Sequence, residues 1–280
     1  MKNKLNLNLD KLEVCYTAAP DVYEDLKNTK YQELDGFRIY SIEDNGTKES
    51  YLNIEIQIPD KDGVLEWERF GTLKVGSTFV DEDTPLYVWI RVDNRMLYTP
   101  IACCLYYIAD TLSLRFNNIT KLDIAIDGNT NYFVRIKKAV RNMELVPIVL
   151  GRAYPEKSEI IKKLLYLHTA DREKYRTNTI SVSASDKDFA LAVYNKTDEI
   201  EESNKSYISE WDGLDDTIYR VEVRLRRPAI RDYLNVNGVT FEDVYLKLFD
   251  KDTQFNIFRF YSDRLLRFRS GRETISILQL

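Results

Sequence analysis

The chain has 280 residues, of which 44% are hydrophobic and 30% charged, the composition of a protein that folds around a sizeable core. Its 10 glycines and 7 prolines are too few for a collagen-like or broadly disordered chain. The formal net charge of −5 excludes a uniformly basic coat for nucleic acid, although it leaves room for a local basic face.

Cysteine and histidine are scarce, which limits the chemistry open to the chain. Three cysteines cannot form a disulfide framework or a four-thiolate zinc site, and the single histidine, His168, excludes histidine-rich metal sites. The motifs GxxxxGK[ST], GxGxxG and GxSxG are also missing. Nucleotide hydrolysis and serine-hydrolase chemistry are therefore not indicated.

The sequence predicts a protein without membrane segments. The first residues lack the apolar core of a signal peptide, and no apolar run approaches the roughly 18 residues that a membrane helix needs. We therefore expect a reduced, cytoplasmic protein.

Hydrophobic periodicity predicts strands first and helices later in the first half of the chain. Alternating apolar and polar residues indicate strands at 36–42, 51–58, 67–75 and 86–93. Beyond Thr99 the pattern changes to helical spacing, interrupted by one strand at 119–127. Helices are expected at 101–112, 132–143 and 155–167.

The second half repeats this order loosely. Strands are expected at 179–183, 189–194 and 219–225, followed by helices at 228–234, 240–249 and 254–269. We therefore predict an α+β fold of two related sheet-plus-helix halves with largely antiparallel sheets. The halves span 1–150 and 151–280, and periodicity leaves open whether they form separate domains or one continuous domain.

Positive charge is concentrated near the C-terminus. Residues 220–280 contain 12 basic and 8 acidic side chains, whereas the chain as a whole is acidic. An anionic partner would sit most easily against the basic C-terminal helices. A solvated strand and helix face is the alternative explanation.

Two aspartates share one face of the strand predicted at 119–127. Asp123 and Asp127 are separated by an even number of residues, so both side chains point to the same side. Aspartate opposes strand propensity, and a hard divalent cation would compensate for it. Asp127 precedes Gly128, so a turn is the alternative explanation for it.

A tyrosine and a lysine share a face of the strand that begins at Phe189. Ala190 and Ala192 leave space beside Tyr194, and Lys196 follows at the same alternation. A nearby ammonium favours phenolate over phenol and can contact a phosphate. The alternative is a tyrosine that packs in the sheet with its hydroxyl in water.

A carboxylate lies within a row of arginines on the strand predicted at 219–225. Arg220, Glu222, Arg224 and Arg226 alternate with apolar residues and should share one face. The face is either a set of cross-strand ion pairs or a metal ligand flanked by arginines that hold phosphates.

In this order, four segments resemble the Rep_trans replication-initiation family of rolling-circle plasmid and phage initiators and related conjugative relaxases. The segments span 121–127 (KLDIAID), 178–185 (NTISVSAS), 192–199 (AVYNKTDE) and 219–226 (YRVEVRLR). The resemblance implies two related sheet-containing halves and a metal-dependent reaction that nicks and rejoins DNA. In this chemistry a tyrosine forms a covalent 5′-phosphotyrosyl link and frees a 3′-hydroxyl.

The resemblance also implies roles for individual residues. Tyr194 would be the nucleophile and Lys196 its phosphate contact. The expected Mg²⁺ or Mn²⁺ ligands are Asp123, Glu222, Asp127 and Glu199, and the expected DNA contacts are Arg220, Arg224, Arg226 and Arg227. The expected partner is origin DNA, single-stranded or as a hairpin. A host helicase and a second copy of the chain are further candidate partners.

One departure from the family pattern leaves the nucleophile open. The family's small-residue strand carries an aromatic residue and a glycine where this chain has Ser181 and Ser183. If the nucleophile belonged to that strand, this chain would lack it. The alternative function is therefore a non-catalytic DNA-binding or structural protein of a mobile element that retains the initiator scaffold.

Overall fold

A computed structural model describes residues 5–42, 50–76, 85–142, 145–156, 179–184, 188–203, 206–208 and 217–280. These residues form an α+β fold with a large antiparallel sheet and a smaller one, which confirms the predicted class. The strands are β1 (Leu5–Ala18), β2 (Tyr31–Leu34), β3 (Phe37–Ser41), β4 (Ser50–Pro59), β5 (Leu65–Val75), β6 (Leu86–Val92), β7 (Arg115–Gly128), β8 (Val146–Val149), β9 (Arg152–Ala153), β10 (Ile180–Ser183), β11 (Phe189–Asn195), β12 (Tyr219–Arg226), β13 (Leu266–Ser270) and β14 (Glu273–Ser276). The α-helices are α1 (Pro20–Asn28), α2 (Asn94–Leu97), α3 (Cys104–Thr111), α4 (Tyr132–Asn142), α5 (Lys196–Ser203), α6 (Arg227–Asn237), α7 (Phe241–Leu246) and α8 (Lys251–Leu265).

The chain divides into two compact units that do not follow chain order. The first unit comprises Met1–Leu9, Asp123–Asn237 and Asp250–Leu280, and the second comprises Asp10–Leu122 and Gly238–Phe249. Residue 150, the expected boundary between halves, lies inside the first unit. The units are discontinuous because strands that are far apart in sequence, such as β7 and β12, are neighbours in a sheet.

In the second unit, the strand order is β1, β6, β5, β4, β3, β2. The pairings of β1 with β6 and of β4 with β5 are antiparallel. Along β4, Leu52, Ile54 and Ile56 are buried and alternate with polar residues that remain partly exposed. This alternation gives the sheet one apolar face that packs in the core.

In the first unit, β10, β11, β12 and β7 are consecutive neighbours, and β14, β13, β8 and β9 form the small sheet. The apolar residues from Leu191 to Val193 of β11 and from Val221 to Leu225 of β12 are buried. Helix α8 packs over these strands, with the rings of the half-buried Phe189 and of Tyr261 5.2 Å apart. The side chain of Asp250 accepts a hydrogen bond from the backbone of Thr253 and so begins α8. One face of this sheet is therefore closed by hydrocarbon, and the opposite face carries the polar residues.

The long strands β1 and β7 are related to each other. Both have 14 residues, both show the same burial pattern over their first twelve positions, and each is followed by a helix. Their central segments read KLEV from Lys11 and KLDI from Lys121. Both strands lie within the predicted 1–150 half, so the similarity does not test its relation to residues 151–280. It does place Glu13 and Asp123 at equivalent positions of their strands.

Several predicted elements are confirmed, with two corrections. The predicted strands at 51–58 and 86–93 correspond to β4 and β6. The helix predicted at 254–269 is wrong at its end, because α8 stops at Leu265 and the alternating segment Leu266–Ser270 forms β13. The pattern also missed β1 and α1 entirely.

Two sequence predictions cannot be compared with the structure. Most of the helix predicted at 155–167, and His168 beyond it, lie outside the described residues.

Among the helices that the structure does describe, none combines the length and hydropathy that crossing a bilayer requires.

Candidate functional site

The antiparallel pairing of β11 with β12 brings the predicted site residues onto one face of the sheet. In this register Tyr194 lies opposite Arg220, and two alanines lie opposite the next two charged residues of β12. Directly opposed residues of antiparallel strands point to the same side. We call this side the polar face; it comprises Ala190, Ala192, Tyr194, Arg220, Glu222 and Arg224.

The Tyr194 hydroxyl donates a hydrogen bond to Glu222, with 2.9 Å between Oη and Oε2. Tyr194 is partly exposed, whereas only 2% of Glu222 is exposed. The methyl side chain of Ala192, directly opposite Glu222, fills little of the space beside the phenol. A buried carboxylate is therefore held against a phenol that solvent can reach.

Arg224 forms a two-pronged ion pair with the same carboxylate. Its Nε lies 2.8 Å from Oε1 of Glu222, and its Nη2 lies 3.2 Å from Oε2. The Arg224 side chain is 52% exposed. It therefore lies at the open end of the polar face.

The pKa of the Arg224 guanidinium identifies its other neighbours. Hydrogen bonds to Glu222 raise this pKa above its ordinary value, and the charge of Glu222 and interactions with Tyr194 and Asp123 act in the same direction, against desolvation. Asp123, Glu222 and Tyr194, which come from three strands, thus all interact with Arg224. The proposed convergence of these residues on a metal ion stays a prediction.

Asp127 and Arg220 form a second pair at the closed end of the face. Both side chains are 0% exposed, and both Nε–Oδ1 and Nη2–Oδ2 distances are 2.6 Å. This geometry corrects the prediction that Arg220 contacts DNA, because a fully buried guanidinium cannot reach a phosphate backbone. Asp127 is likewise buried against Arg220, so it is not accessible as a metal ligand at the surface. Its ion pair also gives it a role beyond starting a turn.

Lys196 lies beyond the end of β11, so its predicted place on the strand is wrong. It is the first residue of α5, and its Nζ lies 2.8 Å from Oε2 of Glu199, one helical turn later. The Lys196 side chain is 1% exposed, and its ammonium lies 5.8 Å from the centre of the Tyr194 ring. The buried position corrects the expectation of a direct phosphate contact by Lys196.

The two remaining predicted DNA contacts are accessible. Arg226 ends β12 and Arg227 begins α6, and both are exposed. Their role in binding DNA stays a prediction.

Three of the four predicted metal ligands, Asp127, Glu222 and Glu199, are paired with basic side chains and do not fit a divalent cation as their side chains are placed. Both oxygens of Asp127 bind Arg220, both oxygens of Glu222 bind Arg224, and Glu199 binds Lys196. Among the described residues, no group of three or more histidine, cysteine, aspartate or glutamate side chains is arranged to hold a metal ion. Arginine and lysine nitrogens occupy the positions around these carboxylates that a cation would need.

Sequence reasoning missed a cavity at the end of β11. It has a volume of about 250 Å³ and lies between the first turns of α4 and the paired residues Asn195 and Tyr219. Lys137 of α4 also lines it. The sequence does indicate where α4 begins, because Asn131 is a typical helix-capping residue and its side chain accepts a hydrogen bond from the backbone of Val134. It does not indicate the cavity itself.

Comparison of the chain with models of known protein families and with curated proteins found no match.

Proposed function

We propose that this chain is a replication initiator-like or relaxase-like protein of a plasmid, phage or mobile element, and that it nicks and rejoins DNA through Tyr194. The observation that carries the proposal is the 2.9 Å hydrogen bond from a partly exposed phenol to a buried carboxylate that also binds Arg224. A nucleophile beside a general base is the arrangement that covalent catalysis uses. The resemblance of four short segments to replication initiators supplies the substrate class.

The proposed reaction assigns one task to each of three side chains. Glu222 accepts the phenolic proton, and the Tyr194 oxygen attacks a backbone phosphorus. A bond forms between that oxygen and phosphorus, the bond from phosphorus to O3′ breaks, and the freed O3′ takes a proton from water. Attack by a 3′-hydroxyl reverses these steps and rejoins the strand.

Arg224 is proposed to hold the phosphate that reacts. Its Nη1 donors take no part in the pair with Glu222, and about half of the side chain is exposed. Arginine suits this task because its charge is permanent and its donors match phosphate oxygens. No step is assigned to a metal ion. The resemblance implies a requirement for Mg²⁺ or Mn²⁺, and an adduct assay with and without these ions tests it.

The experiment that tests the proposal is a covalent adduct assay. The protein is incubated with a pool of single-stranded DNA of randomised sequence, labelled at the 3′ end, because a 5′-phosphotyrosyl link keeps the 3′ fragment on the protein. We expect a labelled protein band on a denaturing gel, and parallel samples with Mg²⁺, Mn²⁺ or a chelator show whether a metal is needed.

A pair of tyrosine variants makes this assay specific. Tyr194→Phe removes one hydroxyl and should abolish the adduct, whereas Tyr219→Phe, on the neighbouring strand, should retain it. Full adduct yield with Tyr194→Phe would exclude Tyr194 as the nucleophile.

The pairing of carboxylates with basic side chains favours a second candidate function, a non-catalytic DNA-binding protein. In that case Glu222 and Asp127 have structural roles, and the exposed Arg226 and Arg227 hold the DNA backbone. This candidate predicts DNA binding that weakens steeply with salt and no adduct with any metal. Replacing both exposed arginines by glutamine should lower the slope of log affinity against log salt by about two.

A further inference from the structure

A cavity of about 570 Å³ in the first unit shares no residue with the polar face. It lies between α6, α8 and β13, and its volume falls within the roughly 300–1,000 Å³ that small-molecule sites occupy. Three arginines line it, namely Arg259, Arg264 and Arg267.

The charge of this cavity favours an anionic group. Asp263 is the one acidic side chain among its described lining residues, against three guanidinium groups, of which that of Arg264 also pairs with Asp232. Arg259 pairs with Asp263 at 3.7 Å, but 71% of its side chain is exposed. Guanidinium groups bind phosphate oxygens through two donors at once, so a phosphate is the anion that these residues suit best.

Two buried polar atoms in the cavity lack a hydrogen-bond partner within the described part of the chain: Nε of Arg267, a donor, and Oδ1 of Asp263, an acceptor. Buried polar groups are rarely left unpaired, since each unmade bond costs free energy. Both atoms are sealed from solvent, so a ligand in the cavity would contact these residues through their accessible parts; 28% of the Asp263 side chain is exposed. Burial also raises the pKa of Asp263, which agrees with a carboxyl group that lacks sufficient partners.

Aromatic side chains supply the third feature of the cavity. The rings of Phe260 and Tyr233 meet edge to face at 5.1 Å, and the Arg264 guanidinium lies 3.9 Å from the centre of the Phe260 ring. Flat side chains and stacked guanidinium groups are the surfaces on which single nucleobases stack.

We propose that this cavity binds a nucleotide, with its phosphate on the arginines and the N–H edge of its base on Asp263. A phosphate alone would leave most of the cavity unfilled. The nucleotide is either a free mononucleotide or the 5′-terminal residue of a single strand. The site does not depend on Tyr194 or on the reaction proposed above.

The experiment is calorimetric titration of the full chain with AMP, ribose 5-phosphate, inorganic phosphate and a short 5′-phosphorylated oligodeoxyadenylate. We expect saturable binding of AMP that is tighter than that of ribose 5-phosphate or phosphate. Tighter binding of the oligonucleotide than of AMP would assign the site to a strand end. The reverse order would assign it to a free nucleotide, and both results support nucleotide binding.

Three glutamine variants locate the site. Arg267→Gln and Arg259→Gln should each weaken AMP binding by about 10-fold or more, the value of one charge-assisted hydrogen bond. Arg272→Gln, an exposed arginine outside the cavity, removes the same charge and should bind as the wild type does. Circular dichroism establishes that each variant is folded, and the largely exposed Arg259 provides a second test if Arg267→Gln does not fold.

The proposal is overturned if AMP and the oligonucleotide both fail to bind, or if ribose 5-phosphate binds as tightly as AMP. It is also overturned if Arg267→Gln and Arg259→Gln both bind AMP as the wild type does. Tyr194→Phe should keep its affinity for AMP, so a failed adduct assay and a failed titration are separate results.

Discussion

The buried pair of Asp127 and Arg220 gives the sharpest test of how this sheet is assembled. We expect Asp127→Asn to destabilise the protein strongly, although the substitution changes only a few atoms. It removes the negative charge that two 2.6 Å hydrogen bonds place against the guanidinium, and it leaves Arg220 charged and 0% exposed.

The magnitude follows from burial. Removing one partner of a buried ion pair costs about 3–5 kcal/mol, whereas an exposed pair contributes about 0–1 kcal/mol. For a domain of 150–250 residues, each kcal/mol shifts the melting temperature by about 2–4 °C, so we expect a decrease of about 6–20 °C. Thermal unfolding followed by circular dichroism measures this shift.

Two controls separate burial from charge. Glu68→Gln breaks an exposed pair with Arg95, in which the side chains are 32% and 56% exposed, and should change stability by less than about 1 kcal/mol. The double variant Asp127→Leu/Arg220→Met replaces the pair by hydrocarbon and should recover most of the loss. An Asp127→Asn shift in melting temperature no larger than that of Glu68→Gln would refute the reasoning. The original prediction that Arg220 contacts DNA would then have to be reconsidered.

Two further predictions concern the second unit. Desolvation raises the pKa of Glu55, but hydrogen bonds from Tyr40 and Arg38 outweigh it, so the pKa in the folded protein lies below its ordinary value. Glu55 therefore stabilises the fold above the pKa it has in the unfolded chain, and this contribution disappears as the pH falls through the folded pKa. In urea unfolding, Glu55→Gln should be less stable than the wild type at about pH 7, and the difference should shrink as the pH is lowered below the ordinary pKa of glutamate. A methyl group on Gly71 would collide with the backbone carbonyl of Arg91 on the paired strand β6, so Gly71→Ala should cost about 1–3 kcal/mol in the same measurement, and an unchanged unfolding midpoint would contradict this close approach.

The sequence predicted the composition of the polar face because strand alternation is a local property. Period-two spacing placed Arg220, Glu222 and Arg224 on one side of β12, and the observed register agrees. Spacing cannot predict which of these residues is covered, because burial depends on what packs over the strand. The structure buries Arg220 fully and leaves half of the Arg224 side chain exposed, and this difference corrected the predicted DNA contacts.

The error at Lys196 has a different physical origin. Alternation was continued past Asn195, where the strand ends and α5 begins. The side chain of Asn195 accepts a hydrogen bond from the backbone of Thr197, and Asp198 and Glu199 lie in the first turn of the helix. An asparagine followed by acidic residues is a helix-start signal, so the sequence contained the information that was needed.

The relation between residues 1–150 and 151–280 was predicted from the order of elements and stays a prediction. The structure shows a different similarity, between β1 and β7, which both lie within residues 1–150. The segments that begin at Lys11 and Lys121 differ only by Glu for Asp and Val for Ile. Four residues are too few to establish a repeat in a sequence of this length. The shared strand length, burial pattern and following helix make the similarity of β1 and β7 visible in the structure.

The two arginine–carboxylate pairs of the polar face differ mainly in exposure, and this difference decides what each can do. Asp127 and Arg220 are both sealed from water, so a ligand could reach neither without opening the sheet. Glu222 is also buried, but its partner Arg224 and its neighbour Tyr194 reach solvent. A phosphate at Arg224 would place its phosphorus near a phenol whose proton Glu222 already accepts. The first pair therefore stabilises the sheet, and the proposed chemistry on DNA would use the second pair.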